Sequence, residues 1–243
     1  MIVLAVGMPR AGSGWHYNLI HDLMLTAGAT DAREIRRRYH LQSILTEVNC
    51  NIGVLSPRRL FLVSIPALLG HTFVIKAHAA PTSSARILKR IGLLRIAYIY
   101  RDPRDAMLSA WEYGQRALRQ GKVNAFSHLR DFETSLQFMQ QYVQIALQWL
   151  AEADVLCTRY EDLLTRYDDE TSRLVNFFHL DMENSAVREV LARYHPEHDA
   201  SGKTGLHFYR GKIGRFRQAY SEEQQARMLE VFGDFLRKNH YEL

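Results

Sequence analysis

A glycine-rich segment near the start of the chain has the residue types that bind phosphate. Residues 7–15 read Gly-Met-Pro-Arg-Ala-Gly-Ser-Gly-Trp and follow an apolar run. Glycines permit a tight turn, so backbone N–H groups and the start of the next helix can face one anion. The spacing of Gly7 and Gly12 matches the first part of a Walker A motif, but Ser13 replaces the Walker lysine. The cation is Arg10 instead, which favours a phosphate-bearing ligand other than a magnesium nucleoside triphosphate. A strand-to-helix turn without a ligand is the alternative.

Three further groups of polar residues each follow an apolar run that resembles a strand. They are Lys76 with His78, Arg101 with Asp105 and Ser109, and Arg159 with Tyr160 and Glu161. In an open α/β sheet these positions share the carboxyl edge, where ligands bind. Cations there would hold a multiply charged anion by charge-assisted hydrogen bonds. These positions also have structural alternatives: Arg101 can pair with Asp105, and Lys76 or His78 can be a solvated strand end.

The elements that must position these residues alternate between strand and helix. Strands are predicted over 2–6, 72–77, 94–100 and 153–158. Helices are predicted over 13–27, 82–91, 103–119, 128–151, 168–179, 184–193 and 222–239. This alternation predicts an α/β fold with a single domain over 1–243. Its central parallel sheet would have about four to five strands, with helices on both faces, and would resemble the P-loop NTPase fold. Residues 195–217 are expected to form a long loop.

Composition excludes several classes of protein. The chain has 243 residues, a net charge of +5 and 47% hydrophobic residues, which is ordinary for a globular domain. Two cysteines, Cys50 and Cys157, cannot form a disulfide framework, and no Cys/His spacing indicates zinc. No basic run with interleaved aromatic residues indicates nucleic-acid binding. With no leader and no apolar stretch of about 20 residues, a cytoplasmic protein without a membrane anchor is expected.

Five motifs, in order along the chain, resemble those of sulfotransferases that use 3′-phosphoadenosine-5′-phosphosulfate (PAPS). The family's PKSGTTW loop resembles residues 9–15, and its Lys-Thr-His resembles Lys76-Ala77-His78. Its Arg-x-Pro-x-Asp motif with a later serine resembles residues 101–105 with Ser109. Its Tyr-Glu-Asp-Leu element and its Arg-Lys-Gly-x-x-Gly loop resemble residues 160–163 and 209–214.

The resemblance implies a role for each matching residue. The implied PAPS-binding residues are Arg10, Ala11, Gly12, Ser13, Gly14, Trp15, Arg101, Ser109, Tyr160, Tyr209, Arg210 and Gly211. Trp15 would stack on adenine, with core packing as its alternative role. His78 would be the general base, and Arg10 and Lys76 would stabilise charge on the bridging oxygen. Adenosine 3′,5′-bisphosphate (PAP) would be the product, and no metal is implied because fixed cations take its place.

Three departures from the family pattern affect the donor site. Arg10 replaces the usual lysine, which leaves a cation that cannot donate its proton near neutral pH. Gly14 replaces a hydroxyl residue, so a backbone N–H stands in for one side-chain bond. Tyr209 stands where an arginine usually contacts the 3′-phosphate, which makes Arg210 the main cation of that loop.

The expected reaction moves a sulfuryl group to a hydroxyl or amine of a small-molecule or sugar acceptor. A nucleotide-dependent small-molecule kinase and a catalytically silent nucleotide-binding protein are the alternatives. Residues 33–70 and 112–130 are expected to line the acceptor side, where Glu47 and Glu112 are alternative bases. The sequence leaves open the identity of the acceptor and whether the chain forms a homo-oligomer.

Overall fold

Four parallel strands form the sheet in the part of the chain that the structure, a computed structural model, describes: residues 1–197 and 212–243. The strands are β1 (Ile2–Gly7), β2 (Phe73–Ala77), β3 (Leu94–Tyr100) and β4 (Val155–Arg159). They lie in the order β2-β1-β3-β4. The expected α/β fold with a parallel sheet is confirmed, and the sheet has four strands at positions close to the predicted ones.

Helices cover the sheet. They are α1 (Ser13–Thr26), α2 (Ala32–Arg38), α3 (Pro57–Leu68), α4 (Ser83–Arg90), α5 (Pro103–Arg119), α6 (Phe132–Leu150), α7 (Tyr160–Thr165), α8 (Tyr167–Phe177), α9 (Ser185–Tyr194), α10 (Phe216–Ala219) and α11 (Glu222–Lys238). None of the helices in residues 1–197 and 212–243 combines the length and apolarity needed to cross a membrane.

Each face of the sheet packs against its own set of helices, because side chains alternate across a strand. Leu4 and Val6 of β1 face one core, which also holds buried residues of α3, α4, α6 and α11. Val3 and Ala5 face a second core, which holds buried residues of α1, α7, α8 and α9. The predicted cover of helices on both faces is therefore confirmed.

Four helices, α2, α3, α7 and α10, were not among the ranges predicted from periodicity. Helix α3 carries two prolines, Pro57 in its first turn and Pro66 in its interior, which obscure a helical pattern. Helices α7 and α10 are too short to show a period. A capping box formed by Ser221 and Gln224 starts α11.

The register of the sheet places the functional loops side by side. Val6 of β1 pairs with Ala77 of β2 and with Tyr98 of β3, so the three strands end at nearly the same level. The loop after β1 consequently lies between the segments that follow β2 and β3, because β1 is the strand between them.

Candidate functional site

The loop between β1 and α1 makes a tight turn that requires glycine at one position. Gly12 has φ 75°, and a Cβ there would lie 2.7 Å from a ring carbon of Tyr160. Arg10 also has a positive φ, of 64°, which is unusual for a residue with a side chain. No side chain caps the start of α1 within the described residues, so the N–H groups of its first turn point into the loop region.

Arg10 and Ser109, both predicted from sequence, are in contact. The Arg10 Nε donates a hydrogen bond of 3.2 Å to the Ser109 hydroxyl. Its guanidinium carbon lies 4.4 Å from the centre of the Tyr113 ring and 5.9 Å from that of Phe126. Burial lowers the pKa of Arg10, although the group stays cationic at any physiological pH. This contact with aromatic rings was not predicted from the sequence. Tyr113 lies in the range 112–130, which was expected to line the acceptor side.

Lys76 near the end of β2 is a buried cation, only 6% exposed, and it lies near a second cation. Burial, and then the neighbouring Arg10, lower the pKa of Lys76 to about 8. Among the described residues no hydrogen bond or ion pair to its ammonium group is found. An anion between Lys76 and Arg10 would relieve the repulsion and restore the solvation that burial removes.

His78 is held in a defined orientation beside the loop. Its Nδ1 lies 2.6 Å from the Gly7 carbonyl oxygen, and this contact makes Nδ1 the protonated nitrogen. Burial, followed by the charge of Lys76, lowers the pKa of His78 to about 4, against the raising effect of the Gly7 contact. The imidazole is therefore neutral at pH 7, and the lone pair on Nε2 is free to accept a proton.

Arg101 is buried, and its contacts are with other groups of the protein. It donates to the carbonyls of Arg10 (3.3 Å) and Lys212 (3.1 Å), and its guanidinium lies 4.4 Å from the Tyr160 ring centre. The anticipated pairing with Asp105 is present, with 3.5 Å between Nη2 and Oδ2. The Nε of Arg101 is buried and has no hydrogen-bond partner in the described structure.

Asp105 and Glu161 fix the backbone around Arg101. The Asp105 carboxylate accepts hydrogen bonds from the backbone N–H groups of Gly214 (2.7 Å) and Phe216 (3.0 Å). The Glu161 carboxylate accepts from the backbone N–H of Asp102 and from the Tyr241 hydroxyl, both at 3.0 Å. Sequence reasoning missed these positioning roles, because no local pattern connects residues 59 to 111 positions apart.

Several predicted residues lie outside this cluster or have other partners. Trp15 is 5% exposed, stacks on Tyr167 with ring centres 6.1 Å apart, and donates to the Tyr194 carbonyl. These contacts favour its core-packing role, and adenine stacking stays a prediction. Glu47 is exposed, and Glu112 forms an ion pair with Arg215. The predicted positions 209–211 lie outside the described residues.

Comparisons with known proteins agree with the fold and identify a family. The model of the sulfotransferase domain family matches residues 2–239. Mouse sulfotransferase SULT7A1 complexed with PAP has 15% sequence identity and a TM-score of 0.61, over 97% of this chain and 84% of that one. Retinol dehydratase in a complex with retinol and PAP has 16% identity and a TM-score of 0.62, over 100% of this chain and 82% of that one. Retinol dehydratase has also been solved with androsterone and PAP. No curated protein sequence matches significantly.

The strand ends and the loop after β1 bring several cations to one edge of the sheet of an α/β protein. The family match spans nearly the whole chain. The chain therefore belongs to the sulfotransferase family.

Proposed function

We propose that this protein transfers a sulfuryl group from PAPS to a hydroxyl or amine of a small-molecule or sugar acceptor. The observation that carries the proposal is the set of buried cations around the loop after β1. Arg10, Lys76 and Arg101 come from three different strand ends, and Lys76 and Arg101 are each less than a tenth exposed. Arg101 pairs with Asp105, but Arg10 and Lys76 have no ion pair among the described residues. Buried cations without a matching anion are costly, so the cluster favours an anionic ligand.

The donor set fits a nucleotide with phosphate groups at two positions. The first-turn N–H groups of α1 and the Arg10 and Lys76 cations would hold the 5′-phosphosulfate. The Arg101 guanidinium and the Ser109 hydroxyl would hold the 3′-phosphate, together with Arg210. The complexes of the two structural neighbours with PAP support this donor. Bound PAPS would supply the sulfuryl group at the end of the site nearest Lys76 and His78.

His78 is proposed as the general base. The contact with the Gly7 carbonyl fixes the tautomer in which Nε2 can accept the acceptor's proton. Its pKa of about 4 makes it a weak base in the ligand-free protein. Negative charge bound between Lys76 and Arg10 would offset the repulsion that lowers the pKa of His78. The base would therefore become stronger when the donor is present.

Arg10 and Lys76 are proposed to stabilise the negative charge that develops on the bridging oxygen. Arg10 already uses its Nε to hold Ser109, and its other guanidinium nitrogens remain for the anion. Of the two cations, only Lys76, with a pKa of about 8, is able to give up a proton near neutral pH. Lys76 is thus the better candidate for protonating the departing phosphate oxygen.

The acceptor is proposed to be a small molecule. The complexes of retinol dehydratase with retinol and with androsterone support this class. Glu112 is less suited to the role of base than the sequence suggested, because Arg215 pairs with its carboxylate. His78 has no such partner beyond the Gly7 carbonyl among the described residues.

A ligand comparison followed by a turnover assay tests the proposal. PAP is expected to raise the melting temperature much more than AMP, since Arg101, Ser109 and Arg210 would contact the 3′-phosphate. At about 100 times its dissociation constant, PAP would stabilise the fold by about 2.7 kcal/mol. Labelled PAPS with a panel of phenols and alcohols should then yield a labelled product. Stabilisation by ATP with magnesium but not by PAP would favour the kinase alternative, and PAP binding without turnover of any acceptor would favour the silent nucleotide-binding protein.

A further inference from the structure

Helices α3 and α4 expose large apolar side chains to solvent. On α3, Phe61 is 67% exposed and Leu68 is 69% exposed, with Ile65 and Leu69 also exposed. Spacings of four and three residues place Phe61, Ile65 and Leu68 on one stripe of the helix. A stripe of this kind normally faces a core. In α3, however, other residues, including Leu60 and Val63, are the ones buried in the core.

Helix α4 continues the same type of surface. Ile87 is 58% exposed and Ile91, which directly follows the helix, is 66% exposed. The two helices pack against each other, and the Thr82 hydroxyl at the start of α4 donates to the Leu55 carbonyl just before α3. Both helices also cover the same face of the sheet. We call the exposed sides of α3 and α4, with these apolar residues, the α3–α4 surface.

The charged residues of α3 and α4 themselves are all cations, and one acidic residue from outside these helices, Glu152, pairs with Arg86 and Lys89 of α4. Between Glu47 and Asp102 the sequence contains eight Lys or Arg residues and no Asp or Glu. The whole chain has a net charge of only +5, so the remainder of the protein is net negative. Arg58, one turn before Phe61, and Arg90, at the end of α4, are exposed and have no ion pair among the described residues.

We propose that the α3–α4 surface binds the surface of an anionic lipid bilayer. Exposed apolar side chains flanked by arginines match an interface in which acyl chains lie beneath negatively charged headgroups. A second copy of the chain is a poorer occupant, because two such surfaces would bring arginines of the same sign together. The proposal does not rest on the sulfuryl-transfer reaction, since Phe61, Leu68 and Ile87 take part in none of the contacts described for Arg10, Lys76, His78 and Arg101.

Vesicle sedimentation of the full chain tests the proposal. The protein is expected to pellet with vesicles of phosphatidylcholine mixed with phosphatidylglycerol, and to stay in solution with phosphatidylcholine alone. The double variant Phe61→Ser/Leu68→Ser should lose this binding. The variant Val123→Ser removes a side chain that is 85% exposed elsewhere and should bind like the wild type. The double variant Arg58→Gln/Arg90→Gln should bind about thirtyfold more weakly, because each arginine near an anionic leaflet contributes a factor of about five.

Several results would contradict the proposal, and one of them would assign the α3–α4 surface to a different partner. Binding that is equal for both vesicle types, or that survives both double variants, would overturn the proposal. So would the absence of binding to any vesicle. Sedimentation equilibrium adds a second measurement: a dimer that Phe61→Ser/Leu68→Ser dissociates would assign the surface to a second copy instead. Melting temperatures close to that of the wild type would show that the variants are folded, as expected for exposed positions.

Discussion

Replacing Arg101 by alanine is expected to weaken both the fold and donor binding, and the two losses can be separated. The arginine contacts the Tyr160 ring and donates to two backbone carbonyls, those of Arg10 and Lys212. A desolvated cation–π contact contributes about 1–2 kcal/mol, and each hydrogen bond about 1 kcal/mol. Arg101→Ala should therefore lower the free energy of unfolding by about 3–4 kcal/mol. Replacing an arginine that has few contacts with the rest of the protein would lower the free energy of unfolding much less.

Arg104 provides a matched control within the same motif. It is 2% exposed, pairs with Asp102 at 2.8 Å, and lies 4.1 Å from the Phe216 ring centre. Its Nε is bound to Asp102, whereas the Nε of Arg101 has no partner in the described structure. Arg104→Ala should thus cost a similar amount of stability while leaving the donor site intact.

The assay combines urea unfolding with calorimetric titration of PAP and AMP at a temperature where all variants are folded. Arg101→Ala should weaken PAP binding by about 10- to 100-fold, the loss expected for a charge-assisted hydrogen bond. Its affinity for AMP, which lacks the 3′-phosphate, should change little. Unchanged PAP affinity in folded Arg101→Ala would refute the assignment and leave Arg101 as a structural partner of Asp105. An equal loss of PAP affinity in Arg104→Ala would show that the effect is transmitted through the fold.

Three further predictions concern catalysis, the loop and acid stability. His78→Ala should reduce turnover by about 10²–10⁴-fold with PAP affinity nearly unchanged, as measured by steady-state kinetics and titration; turnover within a few-fold of wild type would assign the base elsewhere. Gly12→Ala should destabilise the protein by about 2–4 kcal/mol in urea unfolding, because of its positive φ and the Tyr160 ring. Gly28→Ala, with φ 80° and nothing within 4 Å, should cost only the backbone strain of about 1 kcal/mol. Burial lowers the pKa of His16 to about 3, below the unfolded value of 6.5, so its stabilising contribution is complete above pH 6.5 and is lost as the pH falls toward 3. Between about pH 7 and pH 5, the free energy of unfolding of the wild type should therefore fall by about 2 kcal/mol more than that of His16→Leu. Parallel curves of unfolding free energy against pH for the two proteins would contradict this.

The positions of residues that directly follow a strand could be predicted from the sequence. The strands appear as apolar runs, and the cations follow them directly, so the order of residues alone is enough to place Lys76, His78 and Arg101 at one edge of the sheet. The hydrogen bond between Arg10 and Ser109 agrees with this placement, since both follow neighbouring strands.

Residues that act through distant contacts could not be predicted. Tyr241 meets Glu161, and Gly214 meets Asp105, across 80 and 109 positions. Nothing in the spacing of a sequence marks such partners, because they depend on how helices pack. The tautomer of His78 is a similar case, since only the position of the Gly7 carbonyl determines which ring nitrogen carries the proton.

The long separations within the site have a consequence for folding kinetics. His78 and Gly7 are 71 residues apart, Arg10 and Ser109 are 99 apart, and Arg101 and Lys212 are 111 apart. Helices form from local contacts, whereas parallel strands and such distant pairs must first close long loops. Recovery of PAP binding after dilution from denaturant should therefore lag behind recovery of the helical circular-dichroism signal. A chain that has regained its helices is, for that interval, still without its binding site.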